Sequence, residues 1–461
     1  MPSETRIGGS FRDPNGFLFK RKGEVFRQIN LAYRQDYELL KKSGLYKELT
    51  NEGLFLAHKE VDIKAADPSR AFKVIKPEQL KFISYPYEWS FSQLKDAALL
   101  TLELQKRALS RGMWLKDAAT TNVQFHMGRA TLIDSLSFEA YPEGQPWVAY
   151  RQFCQHFLAP LALMALVDIR LGQLLRVHID GIPLDLASRL LPRGTRFNLG
   201  LLTHIHWHAA AQERYAGQKV SARAERGGMS KTALLGLIDH LDRTVRGLHW
   251  EPVGTAWSDY TSETSYSRSA AKHKKETISK FITQTNAETF WDLGANTGLY
   301  SRLASERGIF TIAADYDPAA VELNYAHMKE HGEKSLHPLV IDLGNPSAPL
   351  GWANEEHRSL LDRGPSDAVM ALALIHHLAI ANNVPLDRVA EFFSRLGGWL
   401  IIEFVPKADP QVQQLLAARK DIFTDYHVDG FRSAFQRYYR AVAENRIRDS
   451  ERILFLMKRR G

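Results

Sequence analysis

Four carboxylates close short apolar runs in the C-terminal half of the chain. Asp292 follows Thr289-Phe290-Trp291, Asp315 follows residues 309–314, Asp342 follows Pro338-Leu339-Val340-Ile341, and Glu403 follows Trp399-Leu400-Ile401-Ile402. A further run, residues 367–374, leads instead into Ile375-His376-His377. A carboxylate repels phosphate but holds an ammonium group or a pair of sugar hydroxyls. An imidazole titrates near neutral pH and can accept a proton. The first run continues as Asp292-x-Gly294-x-Asn296-x-Gly298, where glycines allow a close backbone approach to a ligand. This differs from G-x-G-x-x-G, which aims a helix N-terminus at a pyrophosphate.

The elements that must position these groups follow from the periodicity. Each apolar run is the length of a buried strand. Residues 299–304 read as a helix after the glycine turn, and residues 319–324 as the start of another. Strands alternating with helices predict a doubly wound, mostly parallel sheet, which binds ligands outside the carboxyl ends of its strands. Asp315 follows Gly298 by 17 residues, close to the ~20 at which an acid grips a ribose.

On these residues the C-terminal part resembles the class I S-adenosylmethionine-dependent methyltransferases. The resemblance implies that Asp292, Gly294, Asn296 and Gly298 cradle the methionine part of S-adenosyl-L-methionine. It implies that Asp315 holds the ribose and Asp342 the adenine amino group, and it adds Leu374 to the cofactor contacts. Residues 452–457 would be the terminal antiparallel strand that closes a methyltransferase sheet. His376 and His377 are the general-base candidates, beside the expected position of the sulfonium. Trp257, Tyr260 and Tyr266, before the first strand, combine an apolar body with a polar tip and suit an acceptor pocket, with Glu403 added as a substrate contact. Gly344-Asn345-Pro346-Ser347 reads as a turn.

Two polar strings stand out earlier. Asp117 and Asn122 are five residues apart, and Asp134 follows a second short strand. This resembles the catalytic loop and metal-binding acid of kinase-like folds, in which the Asp takes a hydroxyl proton and the Asn holds a metal ion. A hairpin, helix, strands and long helix precede it in the expected order: residues 17–29 as a hairpin, 31–50 as helix, 72–75 and 81–84 as strands, 92–110 as an amphipathic helix. Lys116 replaces the Arg expected before the loop acid, no glycine-rich phosphate loop is present, and Lys73 is the nearest candidate for the phosphate lysine. His204, His206 and His208 offer two imidazoles on one helix face, without a third ligand at a recognisable spacing or the Glu of H-E-x-x-H. Packing is the favoured role, and no metal is assigned.

A chain of 461 residues, 44% hydrophobic and 24% charged, is of ordinary globular composition. Its net charge of +8 is spread over short clusters such as Lys272-His273-Lys274-Lys275, a solvated surface rather than a nucleic-acid track. One cysteine, Cys154, excludes an intramolecular disulfide and a multi-cysteine zinc site. The longest apolar run, 157–167, carries Pro160 and is too short to span a bilayer. No signal peptide is evident, so a cytoplasmic location without a membrane partner is expected.

The reading is therefore an α+β domain of kinase-like resemblance over 1–212, a linker and connecting helix over 213–246, and a Rossmann-like methyltransferase domain over 247–461. The expected function is methyl transfer from S-adenosyl-L-methionine to an unidentified small molecule, protein or nucleic acid, with the N-terminal domain binding substrate or partner. Two alternatives stand beside it: a non-catalytic scaffold with both domains degenerate, and a bifunctional enzyme with ATP-dependent phosphotransfer in the N-terminal domain.

Overall fold

The computed structural model describes residues 5–210, 228–252, 267–417 and 420–461. The chain divides into two compact units, one of residues 1–251 with 350–357, the other of 252–349 with 358–461.

The first unit begins with a five-stranded antiparallel sheet in the order β1-β2-β3-β5-β4. Its strands are β1 (Thr5–Arg6), β2 (Gly16–Arg21), β3 (Glu24–Asn30), β4 (His58–Glu60) and β5 (Ala71–Pro77). β2 and β3 form the expected hairpin. Lys22 and Gly23 turn it in left-handed conformations, φ 51° and 84°, which match the twist of the strands. The segment expected as one helix over 31–50 is two, Arg34–Lys42 and Leu45–Asn51, because Gly44 adopts φ 80° between them. Residues 81–84, expected as a strand, are irregular: Gln124 satisfies the backbone of Ser84 through both its N–H and its carbonyl, replacing a strand partner. Helix Phe91–Ser110 starts at Ser90, whose side chain accepts the N–H of Gln93 in a capping box. Two short antiparallel pairings follow, β6 (Met113–Leu115) with β9 (Phe138–Ala140), and between them the hairpin of β7 (Val123–His126) with β8 (Arg129–Leu132). Helix Lys231–Arg246 packs on helix Phe91–Ser110 in this unit.

The second unit is built on a seven-stranded sheet in the order β12-β11-β10-β13-β14-β16-β15. Its strands are β10 (Thr289–Leu293), β11 (Phe310–Asp315), β12 (Leu336–Val340), β13 (Ser366–Ala371), β14 (Gly397–Phe404), β15 (Tyr439–Arg446) and β16 (Ile453–Arg459). The first five run parallel, β16 lies antiparallel against β14, and β15 pairs antiparallel with β16. This is the doubly wound sheet with an antiparallel closing strand of the class I methyltransferase fold. The central strands are buried on both faces, which is why they read as continuous apolar runs. Phe290, Ala368, Met370, Ile401 and Leu456 share one core with Ile278, Phe281 and Ile282 of helix Arg268–Thr285. Helix Val428–Phe435 leads into β15. The alanines and charges of β15 favour a helix, but pairing with β16 along an exposed edge overrides that preference.

The chain order reverses between β10, which is followed outward by β11 and β12, and β13, which leads outward to β14. A ligand of such a sheet binds at the carboxyl ends beside that switch point. Among the described residues, no helix is long and apolar enough to cross a membrane.

Candidate functional site

The turn after β10 concentrates the unusual backbone of the second unit. Gly294, Asn296 and Gly298 have φ of 81°, 50° and 80°. A Cβ on Gly298 would lie 2.5 Å from the side chain of Asn324, and one on Gly294 would point at Leu374, 3.4 Å away. Leu374 thus stands across the turn from Gly294. The N–H groups of Gly294 and Ala295 both donate to the carbonyl of Ala314, which fastens the turn to β11.

Asp292 is 2% exposed and accepts a hydrogen bond from the Ser301 hydroxyl at 2.6 Å. Burial pushes its carboxyl up to about 7. Asp315, at the end of β11, accepts the N–H of Asn296 at 2.7 Å on one oxygen and that of Asp317 at 3.0 Å on the other. It is therefore both a brace for the glycine turn and an acceptor with capacity for a further donor. Burial raises its carboxyl as well. Asp342 lies just past β12, exposed, and accepts the N–H of Gly344. Between these acids the ring of Tyr316 is 54% exposed. Its hydroxyl is pushed up to about 12 by burial and by Asp315, Asp317 and Asp342. The sequence reading missed Tyr316; its position directly after the acid ending a strand is the signal that marks it.

Past β13 the chain makes a second tight passage. Ala373 is left-handed, φ 47°, and its N–H donates to Glu403 at 2.9 Å. His376 and His377 follow at the start of a π-helical turn, their rings 4.2 Å apart. His376 is fully buried and, among the described residues, neither ring nitrogen has a hydrogen-bond partner. Burial, then His377 and Arg452, holds it well below the usual imidazole range; burial alone takes His377 down to about 4. Glu403, expected as a substrate contact, is fully buried on β14. Its carboxylate is taken up by Lys274 at 2.7 Å, Arg452 at 3.6 Å and the Ala373 N–H, so it braces the site from behind. Trp257, Tyr260 and Tyr266 lie outside the described residues.

In the first unit each of the three kinase-like residues is already engaged by neighbouring groups. Asp117 accepts the side-chain amide of Gln152 at 2.7 Å and the N–H of Ala119. Asn122 donates to Ser137, and Ser137 donates to Asp134. Asp134 is also paired with Arg27 of β3, so a side-chain cation sits where a metal ion would have to bind. Burial alone would raise the Asp134 carboxyl; Arg27 and Ser137 hold it below the usual range. Lys73, the phosphate-lysine candidate, pairs with Glu60 at 2.5 Å. His204 bonds Tyr150 at 2.7 Å and His240 at 2.8 Å, while His206 bonds Ser188 and Thr195. Among the described residues, no three potential ligands are grouped to hold a metal.

No protein-family model matches the chain. The nodulation protein NoeA of Rhizobium meliloti (strain 1021) is 36% identical over 472 residues, covering 99% of this chain and 97% of NoeA. The chain belongs to the NoeA family. Among solved structures it is similar to the bifunctional kinase-methyltransferase WbdD, at 15% identity, 47% of this chain, 45% of that one and TM-score 0.32. It is also similar to the N-methyltransferase NodS from Bradyrhizobium japonicum WM9, at 10% identity, 42% of this chain, 98% of that one and TM-score 0.31. Likenesses this distant transfer no residue roles to the NoeA family.

Proposed function

We propose that the second unit is an S-adenosylmethionine-dependent methyltransferase. One observation carries the reading: Asp292 and Asp315 end neighbouring strands beside the switch point, both buried, on either side of a turn of left-handed residues. A buried carboxylate whose proton affinity is raised gains from a cationic partner and has no use for a phosphate. The residues fit the cofactor on this ground. Asp292, oriented by Ser301, would hold the ammonium group. Gly294, Asn296 and Gly298 would let the backbone pass close to the methionine part. Asp315 would accept the ribose hydroxyls, Asp342 the adenine amino group, and Tyr316 with Leu374 would flank the apolar faces. When bound, S-adenosyl-L-methionine supplies an electrophilic methyl group, and alignment with the acceptor provides most of the acceleration.

His376 is the residue to take a proton from the acceptor. Burial holds its imidazole neutral and, among the described residues, neither nitrogen is bonded, so it is in the basic form throughout the neutral range. Lys274, Glu403 and Arg452 hold the Ala373 peptide that leads to it. The acceptor stays open among small molecule, protein and nucleic acid; NoeA's name favours one connected with nodulation. A cytoplasmic location goes with this reading. The first unit would bind substrate or partner, and the Arg27–Asp134 pair favours that role over phosphotransfer.

Calorimetry with S-adenosylhomocysteine tests the proposal. The folded chain should bind one equivalent, and Asp315→Asn should weaken binding at least about tenfold, the loss expected for charge-assisted hydrogen bonds. Absence of binding by the folded wild type would remove the cofactor and the activity together.

A further inference from the structure

We infer that the first unit carries a second binding site, an arginine-lined cleft for a phosphate ester with a planar or apolar body. The cleft holds about 510 Å³ between helix Leu184–Leu190, the short helix Arg193–Phe197 and the turn Leu202–His206. That is the size of small-ligand sites. A neighbouring hollow of about 500 Å³ shares Arg193 and Arg196 and adds Phe197.

Its charge is arranged rather than incidental. Arg193 and Arg196 are three residues apart in a 3₁₀-helix, where positions i and i+3 eclipse, so both guanidinium groups leave on one side. Like charges so placed repel each other. Among the described residues neither has a carboxylate partner, and the acid lining the cleft, Asp185, is already paired with Arg189 at 3.4 Å. A dianion between the two arginines would convert the repulsion into two charge-assisted contacts. The walls are fixed by His206, whose ring nitrogens bond Ser188 at 2.8 Å and Thr195 at 2.9 Å. It thereby ties helix Leu184–Leu190 to the short helix bearing both arginines.

The same edge exposes aromatic surface. Trp207 is 58% and Phe197 94% exposed. Rings beside guanidinium groups offer a stacking face to a planar group. A nucleic-acid strand would need a longer basic track than one cleft provides. A flat anionic membrane would leave a concave cleft unfilled. A single phosphate ester satisfies both features.

The probe is phenyl phosphate, titrated calorimetrically into the full-length chain, with inorganic phosphate and phosphatidylglycerol vesicles as comparison arms. Saturable one-to-one binding of phenyl phosphate is expected. The double variant Arg193→Ala/Arg196→Ala should weaken it at least about tenfold, as the loss of two charge-assisted contacts requires. Trp207→Ala should weaken phenyl phosphate while leaving inorganic phosphate unchanged. Both arginines are exposed, so the double variant should melt with wild type; Arg193→Gln/Arg196→Gln repeats the test if it does not. Absence of saturable binding, or binding untouched by either double variant, overturns the site. Capture by the vesicles without binding of phenyl phosphate overturns it in favour of a membrane-facing patch.

Discussion

The ammonium of Lys274 lies 2.7 Å from the Glu403 carboxylate, and both side chains are buried in the second unit. The pair joins helix Arg268–Thr285, which precedes the first strand, to β14, and the same carboxylate oxygen takes the N–H of Ala373. Such a pair contributes little against an apolar replacement, but breaking it strands a charge. Glu403→Gln keeps an acceptor for Ala373 and removes the negative charge 2.7 Å from Lys274. The expected cost is about 3 kcal/mol in urea unfolding. Burial already lowers the proton affinity of Lys274 despite Glu403, and without that carboxylate it falls further. The unfolded state then binds more protons than the native state in the alkaline range. The variant's stability should therefore recover as pH rises towards 10, whereas a defect of packing alone would not respond to pH.

Asp292 predicts a pH dependence of the opposite sign. Its folded value of about 7 lies above the ~3.9 of an unfolded aspartate. Between those values the native state holds the extra proton, so this group's stabilising contribution is full below pH ~4 and is lost as pH rises through about 7. Binding of an ammonium ligand runs the other way, strengthening as the carboxylate ionises. Asp292→Asn should raise the melting temperature at pH 8 by at least about 2 °C. It should also flatten the pH profile of S-adenosylhomocysteine binding. Thermal melts and calorimetry at pH 5.5 and 8 check both, and an unchanged profile would remove Asp292 from the ammonium site.

Much of the second unit was legible because parallel strands buried on both faces leave apolar runs, and four of those runs were followed by a carboxylate at the sheet rim. Asp292, Asp315 and Asp342 could be placed at the strand ends from that pattern. What was not legible depends on contacts distant in sequence. Glu403 fits the rim pattern, yet Lys274, 129 residues away, turns it inward. Asp117, Asn122 and Asp134 have kinase-like spacing, but Arg27, 107 residues before Asp134, occupies the acid. Tyr439–Arg446 carries helix-favouring residues and becomes a strand only because β16 offers an edge. Spacing reports local geometry and the burial of a run; it does not report which partner arrives from elsewhere.

Ala373 should tolerate glycine and little else. Its φ of 47° costs an L-residue about 1–2 kcal/mol, while glycine adopts that conformation freely but adds about 0.4–1 kcal/mol of unfolded-state entropy. Ala373→Gly should therefore change unfolding free energy by less than about 1 kcal/mol. Ala373→Val adds a β-branched side chain in the same region and should cost at least about 2 kcal/mol. Denaturant melts of the two variants check the ordering.

Arg27 decides how the first unit meets ATP. With Arg27 on one oxygen of Asp134 and Ser137, which also accepts from Asn122, on the other, the Asp134 carboxylate is already engaged. ATP with magnesium should leave the first unit's melting temperature unchanged. Arg27→Ala leaves the Asp134 charge buried and unpaired and should cost about 3 kcal/mol at pH 7. The folded-state value of Asp134, now below the usual range, would rise. The wild-type contribution is present above the unfolded value and lost on acidification through the lower folded one, so the difference between the two proteins should shrink as pH falls towards 3. A magnesium-dependent ATP shift in the wild type, lost in Asp134→Ala, would instead restore phosphotransfer.

His376 carries the catalytic prediction. Among the described residues this fully buried imidazole has two unbonded nitrogens, forgoing hydrogen bonds that a folded chain rarely leaves unmade, and a proton-bearing ligand group would supply one. Its neighbour His377 is half-buried, so the two substitutions separate the roles. His376→Ala should lower the rate of methyl transfer about 10²- to 10⁴-fold, the usual contribution of a positioned base, with S-adenosylhomocysteine affinity unchanged. His377→Ala should lower it less. Because burial holds His376 neutral, the wild-type rate should not fall on acidification until well below pH 6.5. The measurement is transfer of labelled methyl from S-adenosyl-L-methionine into fractionated extract across that pH range. Equal losses in rate and cofactor affinity for His376→Ala would make the residue structural. A selective loss of rate, partly recovered at high pH where the acceptor ionises unaided, is the signature of a base acting on the acceptor's own proton.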